Sequence, residues 1–282
     1  MASSSLPSIS SFSFLVFLIF VATLSSGAIP KTSGKELSIK EATVLDLQLA
    51  FKRNQLTSRQ LVEFYLKEIQ RLNPVIRGVI ENPYTLGNPH GSSSGSGISA
   101  AANLATVTLG TETDGSILCP SESNSVVGIK PTVGLTSRAG VVPISLRQDS
   151  VGPICRTVSD AAYVLEAIVG IDARDKATIE ASQYIPKGGY DQFLNVDGLR
   201  GKRLGIFVDA IPFFLGNDTF KLETFVKHLK TLRKKGAVLV DNLELDVVKY
   251  YSGPSENIAL AFEFKLALNA YLKDLVELRH FE

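Results

Sequence analysis

Histidine is scarce in this sequence. His90, His228 and His280 are the three that its 282 residues contain, and none has an acidic partner at a recognisable motif spacing. A Gly-x-Ser-x-Gly elbow is also missing, because the residues around Ser116 read Asp114-Gly115-Ser116-Ile117-Leu118. Together these absences exclude a serine activated by a His–Asp pair. Cysteine is limited to Cys119 and Cys155, and no metal-ligand spacing is present, so no metal is expected. No cofactor is expected either, since the glycine-rich stretch lacks the Gly-Lys-Ser/Thr ending of a phosphate-binding loop. The 29 basic and 28 acidic residues leave a net charge of +1, and no basic stripe emerges, which argues against nucleic acid as a partner. No internal repeat interrupts the chain.

What is there suffices for one large core or two modest domains, with 45% apolar and 20% charged residues. Residues 1–28 open with serine-rich polar residues, continue through a nearly unbroken apolar run from Phe12 to Leu24, and end in Ser25-Ser26-Gly27-Ala28. This reads as a signal peptide cleaved after Ala28, which places the mature chain, 29–282, in the secretory pathway or outside the cell. The apolar run is short for a membrane span, so no membrane contact is expected beyond the signal peptide. In an oxidising compartment Cys119 and Cys155 could pair; two buried thiols are the alternative. Asn217-Asp218-Thr219 is a glycosylation sequon for an exported chain.

Between residues 37 and 72 two amphipathic helices are expected. The first is capped by Ser38 and carries Ala42, Leu45, Leu49 and Phe51. The second is capped by Thr57 or Ser58, carries Leu61, Val62, Tyr65, Leu66, Ile69 and Leu72 on one face, and is stopped by Asn73-Pro74. Residues 158–169 read as a helix capped by Thr157, and residues 172–190 as a polar loop. A buried strand over 203–208, a basic helix over 220–235 ended by Gly236, and a strand over 237–240 suggest a parallel pair in an α/β fold. The lysines and Arg233 on that basic helix read as a solvated face rather than a phosphate site, and His228 among them as surface. A last helix is expected over 257–277.

The most informative stretch is 91–131. Ser92 to Ser96 are interleaved with Gly91, Gly95 and Gly97, whose backbones are free to take conformations closed to other residues. An Ala- and Leu-rich helix follows, its N–H groups and positive dipole end aimed at the serine loop. A short strand over 106–109 then delivers the chain into Gly110-Thr111-Glu112-Thr113-Asp114-Gly115-Ser116. Successive N–H groups in such a turn can converge on one oxygen, as an oxyanion hole requires. Ser92 and Ser116 lie 24 positions apart, at opposite ends of a helix-length segment. That arrangement can bring a nucleophile to a proton relay.

Gly91-Ser92-Ser93-Ser94-Gly95, Gly110-Thr111-Glu112-Thr113-Asp114-Gly115-Ser116-Ile117 and Gly128-Ile129-Lys130-Pro131-Thr132 together resemble the amidase signature family. The likeness continues through Gly134-Leu135-Thr136-Ser137-Arg138-Ala139-Gly140 and Asp149-Ser150-Val151-Gly152-Pro153, to about Gly170. It is densest with plant secreted-type amidases. The resemblance implies an α/β fold, a mixed β-sheet flanked by helices, in an amidase domain over 29–282. It implies hydrolysis of the C–N bond of a linear, small-molecule amide by a Ser-Ser-Lys triad. Ser116 would be the nucleophile and Ser92, after a cis peptide bond from Gly91, the bridging serine. The oxyanion hole would be the backbone N–H groups of Thr113, Asp114, Gly115 and Ser116.

The family's lysine lies in a Gly-Ile-Pro…Lys-Asp segment ahead of the serine loop. Here Arg77-Gly78-Val79-Ile80-Glu81 runs directly into Asn82-Pro83-Tyr84, so that segment is deleted near 81–83. Lys52 and Lys67 lie upstream without the motif. Family members also continue well beyond residue 282. Two alternatives to an active amidase follow: a catalytically inactive binding or interaction module on the same fold, and a non-functional splice fragment.

Overall fold

The computed structural model describes residues 38–77, 79–216, 218–244, 246 and 254–275. The signal-peptide expectation for 1–28, His280 and Asn217 of the sequon lie outside them. The described residues form two compact bodies. One runs up to Val141 and includes Arg147–Lys187; the other combines Val142–Leu146 with the residues from Gly188 onward.

In the first body α1 (Val44–Lys52) is capped by Thr43, whose hydroxyl accepts from the Asp46 N–H while Asp46 reaches back to the Thr43 N–H. That reciprocal box overrides the expected start at Ser38, because it satisfies two orphan donors at once. The buried side chains of α1 are Leu47 and Ala50, with Leu45 exposed. Helix α2 (Ser58–Leu72) starts at its Thr57 cap as expected, with Gln60 completing a second box. Its apolar face is only partly used. Leu61 and Leu72 pack inward, and the Tyr65 hydroxyl hydrogen-bonds Thr106 Oγ1 at 2.8 Å. Val62, Leu66 and Ile69 stay exposed.

Helix α3 (Ser94–Ala101), strand β1 (Val107–Glu112), helix α4 (Leu118–Ser123), strand β2 (Val127–Gly128), strand β3 (Ser150–Cys155) and helix α5 (Val158–Ile168) follow in order. The strands form an antiparallel sheet in the order β1-β3-β2. Central β3 is buried on both faces, and alternation along a strand explains how. Ile154 packs with Ala100 of α3 and with Ile117, while its neighbour Cys155 packs with Ala161 and Val164 of α5. Burying an isoleucine as fully as Ile154 is worth about 1.5–3 kcal/mol. Gly152 has to be glycine, because a Cβ there would lie 2.0 Å from the Ile129 carbonyl oxygen. The Thr157 cap of α5 is as expected, accepting from the Asp160 N–H. Buried Asp160 also takes the Val44 N–H at 2.8 Å, tying α1 to α5.

Residues 172–190 depart from the expected loop. They contain α6 (Lys176–Ala181), capped by Asp175, and a 3-10 turn, Ser182–Tyr184. The cap also anchors Arg138, which gives two 2.7 Å guanidinium bonds and its own N–H to the Asp175 carboxylate.

The second body holds β4 (Arg203–Phe207), α7 (Ile211–Leu215), α8 (Thr219–Lys234), β5 (Val238–Leu243) and α9 (Pro254–Lys273). Strands β4 and β5 pair in parallel, as the strand–helix–strand order predicts. β4 is less buried than expected: Ile206 alone of its residues is buried. The described chain is thus α/β, with antiparallel strands in one sheet and parallel strands in the other. No helix among the described residues is long and apolar enough to cross a membrane.

The Arg138–Asp175 pair tests this packing. Both side chains are nearly inaccessible, at 10% and 8% exposure. The guanidinium bond holds the Asp175 carboxyl below its ordinary range and raises Arg138. A carboxylate depressed on folding stabilises the protein fully above its unfolded pKa, and the contribution is lost as pH falls through the folded value. Asp175→Asn is expected to lower the urea-unfolding free energy by about 3–5 kcal/mol at neutral pH. That difference should persist down to about pH 4 and narrow below it.

Candidate active site

Strand alternation turns the Glu112 side chain inward at the end of β1, and the chain then reverses through Thr113 to Ile117 into α4. The buried Glu112 carboxylate sits beneath that turn. Its Oε1 accepts from the Gly115 N–H at 2.9 Å, and its Oε2 from the N–H groups of Ile117 and Leu118 at 2.7 and 2.9 Å. Gly115 occupies the left-handed region, with φ +77°, and a Cβ there would lie 2.8 Å from Cys119 Sγ. Neither the conformation nor the space suits another residue.

The serine loop is stitched to the same turn. Ser93 N–H donates to the Ser116 carbonyl at 3.0 Å. The Ser93 hydroxyl donates to the Thr111 carbonyl and accepts from the Thr111 N–H, both at 3.1 Å. One turn into α3, the Ser96 hydroxyl donates to the Leu109 carbonyl at 2.6 Å. The Gly91–Ser92 peptide is cis, as the resemblance implies. Ahead of it, buried Asn124 donates from Nδ2 to the Pro89 and Pro120 carbonyls. Ser92 is exposed and Ser116 half-buried. The structure therefore places the Ser92 loop against the Ser116 turn, joined through the residue next to Ser92.

Of the four N–H groups expected to form an oxyanion hole, one is already engaged: that of Gly115 donates to Glu112. The N–H groups of Thr113, Asp114 and Ser116 donate to no acceptor among the described residues. The Thr113 hydroxyl donates to buried Asp149 at 2.5 Å, which fixes the first residue of the turn.

The lysine and histidine side chains among the described residues are engaged elsewhere or exposed. Lys130 of the Gly128-Ile129-Lys130-Pro131 motif donates to the Gln148 carbonyl at 2.7 Å and to the Ser150 hydroxyl at 3.1 Å. Lys52 and Lys67 are exposed on α1 and α2, whereas a lysine that acts as a base is a buried one. His90 and His228 are exposed. No group of His, Cys, Asp and Glu that could hold a metal occurs among the described residues.

Sequence reasoning misses Glu112, Asn124 and the Thr113–Asp149 bond. For Glu112 a signal exists: a carboxylate closing an alternating strand, directly ahead of a Gly-containing turn rich in free N–H groups.

The family's sequence profile, described as Amidase, matches residues 66–281. This chain belongs to the amidase signature family. It is 40% identical to a probable amidase of Arabidopsis thaliana over 85% of this chain and 66% of that protein. It is 41% identical to a component of the glutamyl-tRNA(Gln) amidotransferase of Rippkaea orientalis over 57% of this chain and 32% of that one. Among solved structures, the native peptide amidase from Stenotrophomonas maltophilia is similar at a TM-score of 0.60 and 44% identity, over 68% of this chain and 38% of that one. The chain thus spans between about one third and two thirds of the length of these relatives. The match to the Arabidopsis protein runs over 348 residues, more than the 282 of this chain. That relative therefore carries internal residues with no counterpart here.

The two cysteines are free thiols rather than a disulfide; Cys155 is buried, as the alternative of two buried thiols expects, but Cys119 is exposed. Burial pushes the Cys155 thiol up to about 12; at Cys119, exposed as a residue, partial desolvation of the sulfur and the neighbouring Glu112, Glu122 and Asp114 carboxylates push it up as well. A thiol titration with 5,5′-dithiobis(2-nitrobenzoate) is expected to count one slow-reacting thiol in the native protein and two after unfolding in urea. No free thiol before reduction would contradict this arrangement.

Proposed function

We propose that this chain carries an acyl-transfer site for small linear carboxamides, with Ser116 as nucleophile. The observation that carries the reading is the hydrogen bond from Ser93 N–H to the Ser116 carbonyl, which packs the Ser92 loop on the Ser116 turn. In the proposed reaction Ser116 Oγ bonds to the carbonyl carbon, and its proton passes through Ser92 to the leaving nitrogen as the C–N bond breaks. Water then cleaves the acyl ester, releasing the acid and regenerating the hydroxyl. The developing oxyanion is taken by the N–H groups of Thr113, Asp114 and Ser116, the three with no acceptor among the described residues. Gly115 contributes the conformation of the turn and not its N–H.

The relatives named above, a peptide amidase and an amidotransferase component, support a carboxamide substrate. The segment that carries the family's lysine is absent from this sequence, and loss of an acid–base partner slows catalysis by about 10²–10⁴-fold. The chain is therefore read as a slow amidase whose serine is still addressed by its turn. Export belongs to the same proposal: protein recovered from culture medium should begin at Ile29 when its N-terminus is sequenced.

The site is tested by covalent labelling of the folded chain with a broad fluorophosphonate. Label is expected on the wild type, none on Ser116→Ala, and labelling slower by about 10²–10⁴-fold on Ser92→Ala. A cooperatively melting wild type that takes no label, or a Ser116→Ala variant that labels equally, would instead favour the inactive binding module.

A further inference from the structure

Glu112 takes no part in the chemistry proposed above, yet its carboxylate brackets Ser116 on both sides. The Gly115 N–H that it accepts belongs to the peptide unit before Gly115, and the Ile117 N–H belongs to the Ser116–Ile117 unit. The carbonyl of that second unit is the acceptor for Ser93 N–H. One peptide plane is thus held from opposite edges, by Glu112 through its N–H and by the Ser92 loop through its oxygen. We propose that Glu112 is a positioning residue for Ser116. Its carboxylate fixes the turn, leaves the remaining N–H groups to the oxyanion, and through the Ser116–Ile117 peptide holds the Ser92 loop in register. This inference rests on the reading of Ser116 as nucleophile.

The donor set requires a carboxylate of this length. Both oxygens are used as acceptors, Oε1 once and Oε2 twice. A glutamine has one acceptor oxygen and an NH₂ group. Turned one way, that NH₂ meets the Gly115 N–H; turned the other, it meets those of Ile117 and Leu118. Either way donor faces donor, and a buried donor is left unsatisfied. Aspartate keeps the charge but falls short by one methylene, with its Cα held in the β1–β3 ladder opposite Ser150. Gly115 directly precedes Ser116, and its φ of +77° with no space for a Cβ beside Cys119 Sγ sets the turn at that residue, so release of its N–H shifts Ser116 rather than a spare loop.

The test compares the full chain with Glu112→Gln and Glu112→Asp, reading the fluorophosphonate labelling rate of Ser116 and amide hydrogen exchange at Gly115 and Ile117. A displacement of about 1 Å at a reacting group lowers rate by about 100-fold, and that is the slowing expected for Glu112→Gln. Exchange at Gly115 should rise by about tenfold or more in the same protein while its unfolding transition stays cooperative. Glu112→Asp should recover part of the labelling. A Glu112→Gln protein that labels within about twofold of wild type overturns the proposal, even if its amides exchange faster, because the carboxylate is then structural only. Unchanged exchange at Gly115 and Ile117 overturns it as well. If Glu112→Gln does not fold, Glu112→Asp decides alone: slowed labelling with a cooperative melt supports the role, and wild-type labelling removes it. A folded wild type that takes no label sinks the reading of Ser116, and amide exchange then decides separately whether Glu112 holds the turn.

Discussion

A buried carboxylate is stable only when the groups around it replace the water it has lost, and at Glu112 that replacement is made by backbone N–H groups of the turn it supports. The dependence runs both ways. Without the turn the carboxylate has no partners, and without the carboxylate three inward-facing N–H groups have no acceptor. Charge-assisted bonds of this sort are shorter and stronger than neutral ones. They convert a glycine-containing reversal, which is flexible in isolation, into a defined platform for Ser116. The serine loop then docks on that platform through the Ser93 N–H and both edges of Thr111.

The sheet explains why the platform can be built. β3 is buried on both faces, so β1 is fixed along six paired positions, from Val107 opposite Cys155 to Glu112 opposite Ser150. Its final residue therefore has no freedom to choose a face, and Glu112 is delivered beneath the turn. The far side of the turn is held by Thr113 on Asp149, one residue before β3 begins. The motif lysine Lys130 reinforces that corner by bonding the Gln148 carbonyl and the Ser150 hydroxyl. Residues that read in the sequence as separate motifs converge on one corner of one sheet.

Much of this is legible in the sequence because it depends on local chemistry. Thr57 and Thr157 cap their helices as their positions predict, and the strand–helix–strand segment after residue 200 forms a parallel pair. The serine loop and the Gly-Ser turn stand out by composition and by likeness to the amidase family. What escapes depends on contacts between distant residues or on competition between near ones. Asp149 lies 36 residues from Thr113, and nothing local announces their bond. Thr43 outcompetes Ser38 as a cap because Asp46 stands three residues on and answers it. The apolar face of α2 reads as core, yet Val62, Leu66 and Ile69 are exposed; periodicity shows that a face is apolar and not what covers it. The turn after β1 reads in the sequence as four equivalent donors, and the pull of Glu112 on Gly115 makes them unequal.

In the proposed reading, this member of the amidase signature family, in which the expected lysine segment is not found, still holds Ser116 in a turn that favours attack on a carbonyl. The most direct measurement is intact-protein mass spectrometry of the folded chain after brief exposure to a p-nitrophenyl ester, whose good leaving group needs no protonation. Fragmentation then locates any added acyl group. The expected result is one acyl group per chain, attached at Ser116. A folded chain that gains no acyl group, or gains it at scattered surface residues, would contradict the claim.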